Sequence, residues 1–201
     1  MNRSLNDLPI TERVIAWNAA RYDQVFDFDL TVKLLLEETQ ELYAAKTDIE
    51  KLDAIGDIVF VAIGALWKLG LEPKSVFEIF YQQQIDLMSM DEAHAWTLSI
   101  QAWAFDNVEH ISEKHGAWPG LTLILFSTFV TALGALHGMG MQDKFYDVVY
   151  AICNSNDTKE VKGKTDPTVK ANINKGADYV GPQVELARII EQHQAERRMA
   201  H

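Results

Sequence analysis

The chain has 201 residues, of which 48% are hydrophobic and 23% are charged, a composition typical of a globular protein with one sizeable core or two small ones. Its net charge of −11 argues against a large surface for nucleic acid or for an anionic membrane. The single cysteine, Cys153, excludes an internal disulfide and a cysteine-based zinc site, and we expect it to be a small buried core residue.

Helical periodicity runs through most of the chain, and strand patterns are almost absent. Three helices are predicted in the first third of the chain: one with Thr11 as its N-cap, one over residues 30–45 and one over residues 47–69. The sequence TDIE at the start of the third helix is typical of a capping box. Gly70 is the expected residue just past the end of that helix.

Five further helices are predicted, over residues 75–88, 91–116, 121–141, 143–156 and 183–201. Between the last two helices the chain is rich in Lys, Asn, Gly and Asp, so residues 157–182 are expected to form an ordered loop. These predictions together indicate an all-α helical bundle.

The segment 121–141 contains no Asp, Glu, Lys or Arg over a length that could span a bilayer. An internal repeat gives a different explanation, because residues 62–74 and 132–144 align without a gap at an offset of 70 residues. We interpret the repeat as two related helical hairpins in one bundle. The charge-free segment is then the buried helix of a second hairpin that has lost its carboxylates, and no membrane contact is expected.

Acidic residues follow the apolar face of two consecutive predicted helices. On the first of these helices, Glu38 and Glu41 lie at the edge of the apolar stripe, and Glu37 lies about 100° to one side. On the next helix the acidic residues follow the spacing i, i+3, i+7, which places them on one face. A short turn makes the two helices antiparallel neighbours. Six carboxylates are therefore expected to converge: Glu37, Glu38, Glu41, Glu50, Asp53 and Asp57.

Carboxylates that converge near a core repel one another and lose hydration unless a cation neutralises them. No Lys or Arg shares the same helix faces, so a divalent metal is expected, and oxygen ligands favour Mg²⁺ or Mn²⁺. Such a metal would also let an acidic protein bind an anionic nucleotide. For Glu50 the alternative is that it only closes the capping box with Thr47. A di-iron site would need Glu-x-x-His pairs, and no Glu here is followed by His at the third position.

The motif EExxE at residues 37–41, followed by ExxDxxxD at residues 50–57, resembles the all-α nucleotide pyrophosphohydrolase superfamily. This superfamily includes MazG proteins, dimeric dUTPases and phosphoribosyl-ATP pyrophosphohydrolase-like proteins. The segments NSNxxK at residues 154–159 and KGxxYxxP at residues 175–182 resemble a second signature of the MazG-like branch. Some MazG proteins have Glu at the position of Ala54. Either Glu50 or Asp53 would then take the role of that carboxylate.

The resemblance covers about residues 10–86 and 146–186 of a single domain, residues 1–201. It implies catalytic hairpins over residues 10–86, and a nucleotide-binding loop with a C-terminal helix over residues 146–201. The segment 87–145 departs from the short members of the superfamily. We interpret this segment as a degenerate second half, similar to the pseudo-symmetric halves of dimeric dUTPases.

The activity that the resemblance implies is Mg²⁺-dependent hydrolysis of a (deoxy)nucleoside triphosphate to the monophosphate and pyrophosphate, with Mn²⁺ as a substitute metal. The implied ligands are Glu38, Glu41 and Asp53, completed by Glu50 or Asp57. Glu38 is thus a catalytic residue, and Glu37 is the candidate to orient or deprotonate the attacking water. The implied phosphate and sugar contacts are Lys159, Lys175, Asn156 and Tyr179.

The first helix supplies candidates for the base pocket. The amide of Asn18 can read a base edge, and the indole of Trp17 can either stack on a base or pack in the core. Arg21, one turn later, can reach a phosphate or remain solvated. We therefore include Asn18 and Arg21 among the predicted substrate-binding residues.

Two other functions remain open from the sequence. One is a dUTPase or dCTPase of the dimeric all-α type, favoured by the two-half organisation. The other is a catalytically inactive module that binds a nucleotide or a protein. A homodimer is expected from the apolar hairpins, although the internal repeat could complete the bundle within one chain. The first ten residues lack the apolar stretch of a signal peptide, so a cytoplasmic protein is expected.

Overall fold

The computed structural model describes residues 9–70, 132–160, 163–166, 168–170 and 175–200. The helices predicted over residues 75–88 and 91–116, and about half of 121–141, lie outside these ranges. The chain divides into two compact units, one formed by Met1–Pro73 with Asp143–His201 and the other by Lys74–Gln142. The degenerate second half predicted for residues 87–145 falls mainly in the second unit and stays a prediction.

The described residues form helices and contain no strand, which confirms the all-α prediction. The helices of the first unit are α1 (Ile10–Ala19), α2 (Phe28–Ala44), α3 (Asp48–Lys68), α4 (Phe145–Asp157) and α5 (Gln183–Met199). A single turn of 3₁₀ helix, Gln142–Lys144, precedes α4. The described part of the segment between α4 and α5 has neither helix nor strand, as its polar composition predicts.

The helix starts follow the capping residues of the sequence with one exception. At α3 the Thr47 side chain accepts from the Glu50 backbone N–H, and the Glu50 carboxylate accepts from the Thr47 N–H, which confirms the capping box. At α2 the side chain of Asp27 accepts from the Leu30 N–H. The prediction of Thr11 as the N-cap of α1 is wrong, because Pro9 holds that position and Thr11 is buried within the first turn.

Helix α3 lies at the centre of the first unit and packs against α1, α2, α4 and α5. It is apolar nearly all round between Leu52 and Leu66, and most of that stretch is buried. At Gly56 the helix comes so close to α4 that a Cβ atom would lie 2.3 Å from Cγ1 of Ile152. Cys153 on α4 is buried, as predicted, and burial raises the pKa of its thiol to about 12.

The end of α3 has the geometry predicted for its glycine. Gly70 adopts a φ of 76°, in the left-handed region, and its N–H donates to the carbonyl of Trp67 at 2.9 Å. In the second unit, residues 132–138 are helical, and Gly140 has a φ of 65° with its N–H 2.9 Å from the carbonyl of His137. The two aligned segments therefore end in the same local turn, and the internal repeat itself stays a prediction. Among the described residues, no helix is long and apolar enough to cross a membrane.

Candidate active site

Four of the six predicted acidic residues influence one another across the α2–α3 pair: Glu38, Glu41, Asp53 and Asp57. Glu37, on α2, adds a weaker repulsion to Glu38. Burial, and then repulsion from Asp57 and Glu41, raises the pKa of Glu38 from 4.5 to about 8. Burial, and then repulsion from Asp53, raises the pKa of Asp57 from 3.8 to about 7. The pKa of Asp53 is raised by burial and by Glu41. We call these four residues the carboxylate cluster.

The loop between α4 and α5 brings lysines toward this cluster. Lys159 and Lys175 favour the ionised forms of Asp53 and Asp57, and Lys170 favours the ionised form of Glu38. The lysines that act on these four carboxylates come from this loop, whereas Lys68 of α3 lies farther along the helix. The pKa values of Glu38 and Asp57 nevertheless remain raised. The loop lysines therefore do not offset the effects of burial and of the neighbouring carboxylates.

Glu37 lies beside the cluster and forms an ion pair with Lys170, whose Nζ is 2.7 Å from each of its carboxylate oxygens. Sequence reasoning did not select Lys170. The available signal was its position between the NSNxxK and KGxxYxxP segments, within the same lysine-rich loop.

The structure places Glu50 apart from the carboxylate cluster. Its Oε2 accepts hydrogen bonds from the backbone N–H groups of Lys46 and Thr47 at 2.7 and 2.9 Å. These two bonds hold the pKa of Glu50 below its usual range. The carboxylate is thus committed to the N-terminus of α3, which is the alternative role that the sequence left open. Of the two alternatives, Glu50 and Asp57, only Asp57 belongs to the carboxylate cluster, and the metal site itself stays a prediction.

A cavity extends from the cluster along one side of α3 and contains about 850 Å³ of empty space, part of it open to solvent. Its lining includes five residues predicted from the sequence: Asn18, Glu38, Asp57, Asn156 and Lys159. It also includes residues that sequence reasoning did not select: Tyr22, Thr31, Leu34, Phe60, Val61, Gly64, Ala65, Lys68 and Lys170.

Trp17 forms a wall of this cavity. Its Nε1 donates to the carbonyl of Asn156 at 2.9 Å, and its ring meets the ring of Phe60 edge-on at 5.1 Å. The guanidinium of Arg21 lies 4.0 Å above the indole. The indole is therefore largely enclosed by protein, which agrees with core packing more than with an open stacking surface.

Arg21 is buried and is not part of the cavity lining. Its Nη2 donates to the carbonyl of Lys159 at 2.9 Å, and its Nη1 donates to the carbonyl of Trp17 at 3.1 Å. Burial lowers the pKa of Arg21, while Asp157 opposes that shift. A phosphate contact by Arg21 stays a prediction. The observed geometry gives it a different task, because it fixes the backbone at Lys159, which does line the cavity.

The second half of the C-terminal signature lies at the edge of the site. The Lys175 ammonium is 4.9 Å from the centroid of the Tyr179 ring, and the Tyr179 hydroxyl is 3.4 Å from Oγ of Ser155. Neither Lys175 nor Tyr179 lines the cavity. At the start of α5, the side-chain amide of Gln183 lies 3.4 Å from Oδ2 of Asp53. Gln183 thus contacts the cluster from a helix that sequence reasoning had not connected with it.

A separate group in the described part of the chain has the composition of a metal site. The ligand atoms of Asp143, His193 and Glu196 all lie within 4.8 Å of one another. The ammonium of Lys144 is 2.7 Å from Glu196 and 3.4 Å from Asp143. A lysine therefore already supplies the positive charge there, and the group joins the turn before α4 to α5. In the carboxylate cluster, by contrast, no lysine of α2 or α3 pairs with the four carboxylates.

Comparison with known families agrees with these motifs. Residues 10–84 match the family model described as phosphoribosyl-ATP pyrophosphohydrolase, within the MazG-like nucleotide pyrophosphohydrolase superfamily. The match confirms the resemblance for the segment that contains α1, α2 and α3, and it implies nucleotide pyrophosphohydrolase activity. It does not extend to the C-terminal loop. Neither curated proteins nor solved structures gave a match to the chain.

Proposed function

We propose that the protein is a Mg²⁺-dependent nucleoside triphosphate pyrophosphohydrolase that converts a (deoxy)nucleoside triphosphate into the monophosphate and pyrophosphate. The observation that carries the proposal is the cavity along α3. At one end the cavity is lined by the carboxylates of Glu38 and Asp57. Further along α3 it is lined by the amide of Asn18 and by aromatic side chains. One ligand could thus place phosphates at the first end and a base at the second. The family match supports the reaction class.

The cluster has the chemistry of a magnesium site. All of its donors are carboxylate oxygens, which Mg²⁺ and Mn²⁺ prefer. Burial, and then repulsion from neighbouring carboxylates, raises the pKa values of Glu38 and Asp57, and a divalent cation would favour the ionised forms of both. Glu38, Glu41, Asp53 and Asp57 would hold the metal. When bound, it would supply charge neutralisation at the phosphate oxygens and a lowered pKa of coordinated water.

The other residues of the site fit the same reaction. Lys159 and Lys170 line the cavity near the cluster and would bind the phosphates. Glu37 would orient a water molecule and accept its proton. The water oxygen then forms a bond to the α-phosphorus, the bond from this phosphorus to the bridging oxygen breaks, and pyrophosphate leaves.

Turnover should be tested with the purified full-length chain, Mg²⁺ or Mn²⁺, and a panel of canonical and modified NTPs and dNTPs. Chromatography should resolve a monophosphate and pyrophosphate from at least one substrate. In water labelled with ¹⁸O, the label should enter the monophosphate if attack occurs at the α-phosphorus. Label in the pyrophosphate, or release of orthophosphate alone, would contradict the proposed chemistry.

Two variants test the site. Glu38→Gln and Asp53→Asn should each lower turnover by about 100-fold or more, since they remove charge that acts in the transition state. The matched control is Glu12→Gln, at an exposed position on α1. If both site variants stay fully active, the residue assignment is wrong. If no nucleotide is hydrolysed although Mg²⁺ raises the melting temperature, the inactive binding module is the better description.

The dUTPase and dCTPase alternatives share this chemistry and differ in the base.

A homodimer also remains part of the proposal. Sedimentation of the full-length chain should give about twice the monomer mass of 22.7 kDa.

A further inference from the structure

The residues at the far end of the cavity from Asp57 are arranged in a defined order. Three contacts connect residues 17–22 to α3: Trp17 with Phe60, Asn18 with Gly64, and Tyr22 with Lys68. Along both segments the contacts follow one another in the direction of the chain. Gly64 is seven residues and Lys68 eleven residues beyond Asp57. These separations correspond to roughly 10 and 16 Å along the helix axis. A group that reaches from the phosphates into the cavity therefore meets Asn18 before Lys68.

The amide of Asn18 is held in one orientation. Its Nδ2 donates to the carbonyl of Val14 at 2.8 Å, so the amide nitrogen faces its own helix. Gly64 leaves the room for this group, because a Cβ atom there would lie 2.9 Å from Nδ2 and 3.1 Å from Oδ1. No donor among the described residues reaches Oδ1. Asn18 therefore offers the cavity a hydrogen-bond acceptor.

Lys68 offers the complementary group. Its Nζ lies 3.9 Å from the centroid of the Tyr22 ring and forms no hydrogen bond or ion pair with any described residue. Burial lowers the pKa of Lys68, and the nearby Asp27 opposes this shift by favouring the ammonium form. An ammonium can only donate. An oxygen at the tip of a ligand would restore the hydrogen bonding that this ammonium loses on burial.

We infer that Asn18 and Lys68 select the base by its exocyclic group, and that the site takes 4-oxo pyrimidines or 6-oxo purines in preference to their amino counterparts. This inference rests on the proposed function, because it treats the ligand as a nucleotide with its phosphates at the cluster. An oxo base carries a carbonyl oxygen at its tip and a ring N–H beside it. The carbonyl matches Lys68, and the N–H matches Oδ1 of Asn18.

An amino base presents the opposite arrangement. Its exocyclic NH₂ would face the ammonium of Lys68, and its unprotonated ring nitrogen would face the oxygen of Asn18. A donor would then face a donor, and an acceptor would face an acceptor, in a half-buried site. Such a mismatch costs more free energy than a missing contact. The preference should therefore hold for pyrimidines and purines alike.

The test uses two pairs of ligands that differ only at this edge of the base, dUMP with dCMP and IMP with AMP. Calorimetric titration of the full-length chain in Mg²⁺ should show tighter binding of the oxo member by about tenfold or more in each pair that binds, because hydrogen bonds to charged donors contribute on that order. Lys68→Met keeps a flexible chain of similar length without the donor, and should bring the ratio close to one. Lys33→Met, at an exposed position of α2 outside the cavity lining, is the matched control and should keep the wild-type ratio.

Tighter binding of the amino members, equal binding of both members, or no binding of any monophosphate would overturn the inference. A ratio that Lys68→Met leaves unchanged would also overturn it. The proposed function is tested separately by turnover of the corresponding triphosphates. An oxo preference in binding without any turnover would contradict the proposed enzyme activity and support the proposed base preference. Turnover of all four triphosphates at equal kcat/KM, with equal monophosphate binding, would support the enzyme activity and contradict the base preference.

Discussion

Lys170 holds the carboxylate of Glu37 with its Nζ 2.7 Å from both oxygens, across a sequence separation of 133 residues. The two side chains retain 49% and 41% of their exposure, so solvent screening leaves this ion pair a stabilising contribution of only about 0–1 kcal/mol. Lys170 also lines the cavity, and phosphates of a bound nucleotide would compete with Glu37 for its ammonium. The pair therefore connects the proposed water-orienting residue with a proposed phosphate-binding residue.

Lys170→Met should leave the free energy of unfolding almost unchanged and lower kcat/KM, mainly through a higher KM for the triphosphate. The reason is that the variant removes a phosphate-binding charge but only a weak surface ion pair. The control is Lys164→Met, because Lys164 is an exposed residue of the same loop that pairs with Asp23 and does not line the cavity. Steady-state kinetics and chemical denaturation provide the two measurements. Equal kinetics for both variants would remove Lys170 from the site.

In the metal-free protein, the ionisation of Glu38 should make the free energy of unfolding depend on pH. Its pKa is about 8 in the folded state and ordinarily 4.5, so the folded state keeps a proton that the unfolded state releases. This contribution is complete below about pH 4.5 and is lost as the pH rises toward 8, with a slope of up to about 1.4 kcal/mol per pH unit.

Glu38→Gln removes this term. Denaturation in EDTA at several pH values should therefore show the variant gaining stability relative to the wild type between pH 5 and 8, whereas Glu12→Gln tracks the wild type. Mg²⁺ should stabilise the wild type more at pH 8 than at pH 5, because a metal binds the deprotonated carboxylates. A stability difference between Glu38→Gln and wild type that is independent of pH would contradict the raised pKa.

Glu50→Ala should lower the melting temperature and leave the rate of hydrolysis close to that of the wild type. The variant removes the acceptor for the N–H groups of Lys46 and Thr47 and leaves the carboxylate cluster intact. Thr47→Ala removes the other half of the same capping box and should have a similar effect on stability. If Glu50→Ala instead abolishes turnover in a folded protein, Glu50 is a metal ligand after all.

Gly56→Ala should destabilise the protein by about 1–3 kcal/mol, the usual range for overpacking of a core. The added Cβ would lie 2.3 Å from Cγ1 of Ile152, so α3 and α4 would have to separate or Ile152 would have to change rotamer. In an Ile152→Ala background the same substitution should cost much less, because the conflicting atom is absent. Denaturation of the four proteins gives the coupling energy. Equal costs in both backgrounds would show that the close approach is not what requires glycine.

Local features of α2 and α3 were predictable from the sequence. The capping box at Thr47 depends on residues three positions apart, and the glycine at position 70 depends on the turn that immediately follows the helix. Helical periodicity also placed Glu38 and Glu41 beside the apolar face of α2, and Asp53 and Asp57 together on α3. These predictions needed only helix geometry and one short turn.

The sequence was less informative where one residue had two uses. Glu50 shares a face with Asp53 by spacing, yet the N–H groups at the start of α3 compete for its carboxylate and hold it. Arg21 follows Trp17 by one turn, and its guanidinium stacks on that indole and reaches the carbonyl of Lys159 rather than the cavity. In both cases a nearby hydrogen-bond partner, invisible to periodicity, decides where a long side chain goes.

By itself, then, the sequence determined the all-α class, the α2–α3 hairpin and the identity of the acidic residues on its facing sides, because these follow from interactions over a few residues. Only the tertiary structure decided that Lys170 meets Glu37, that Gln183 meets Asp53 and that Lys68 shares one cavity with Asn18. Those contacts join segments separated by 50 to more than 130 residues. They depend on how the loop and the helices pack together, which no local pattern encodes.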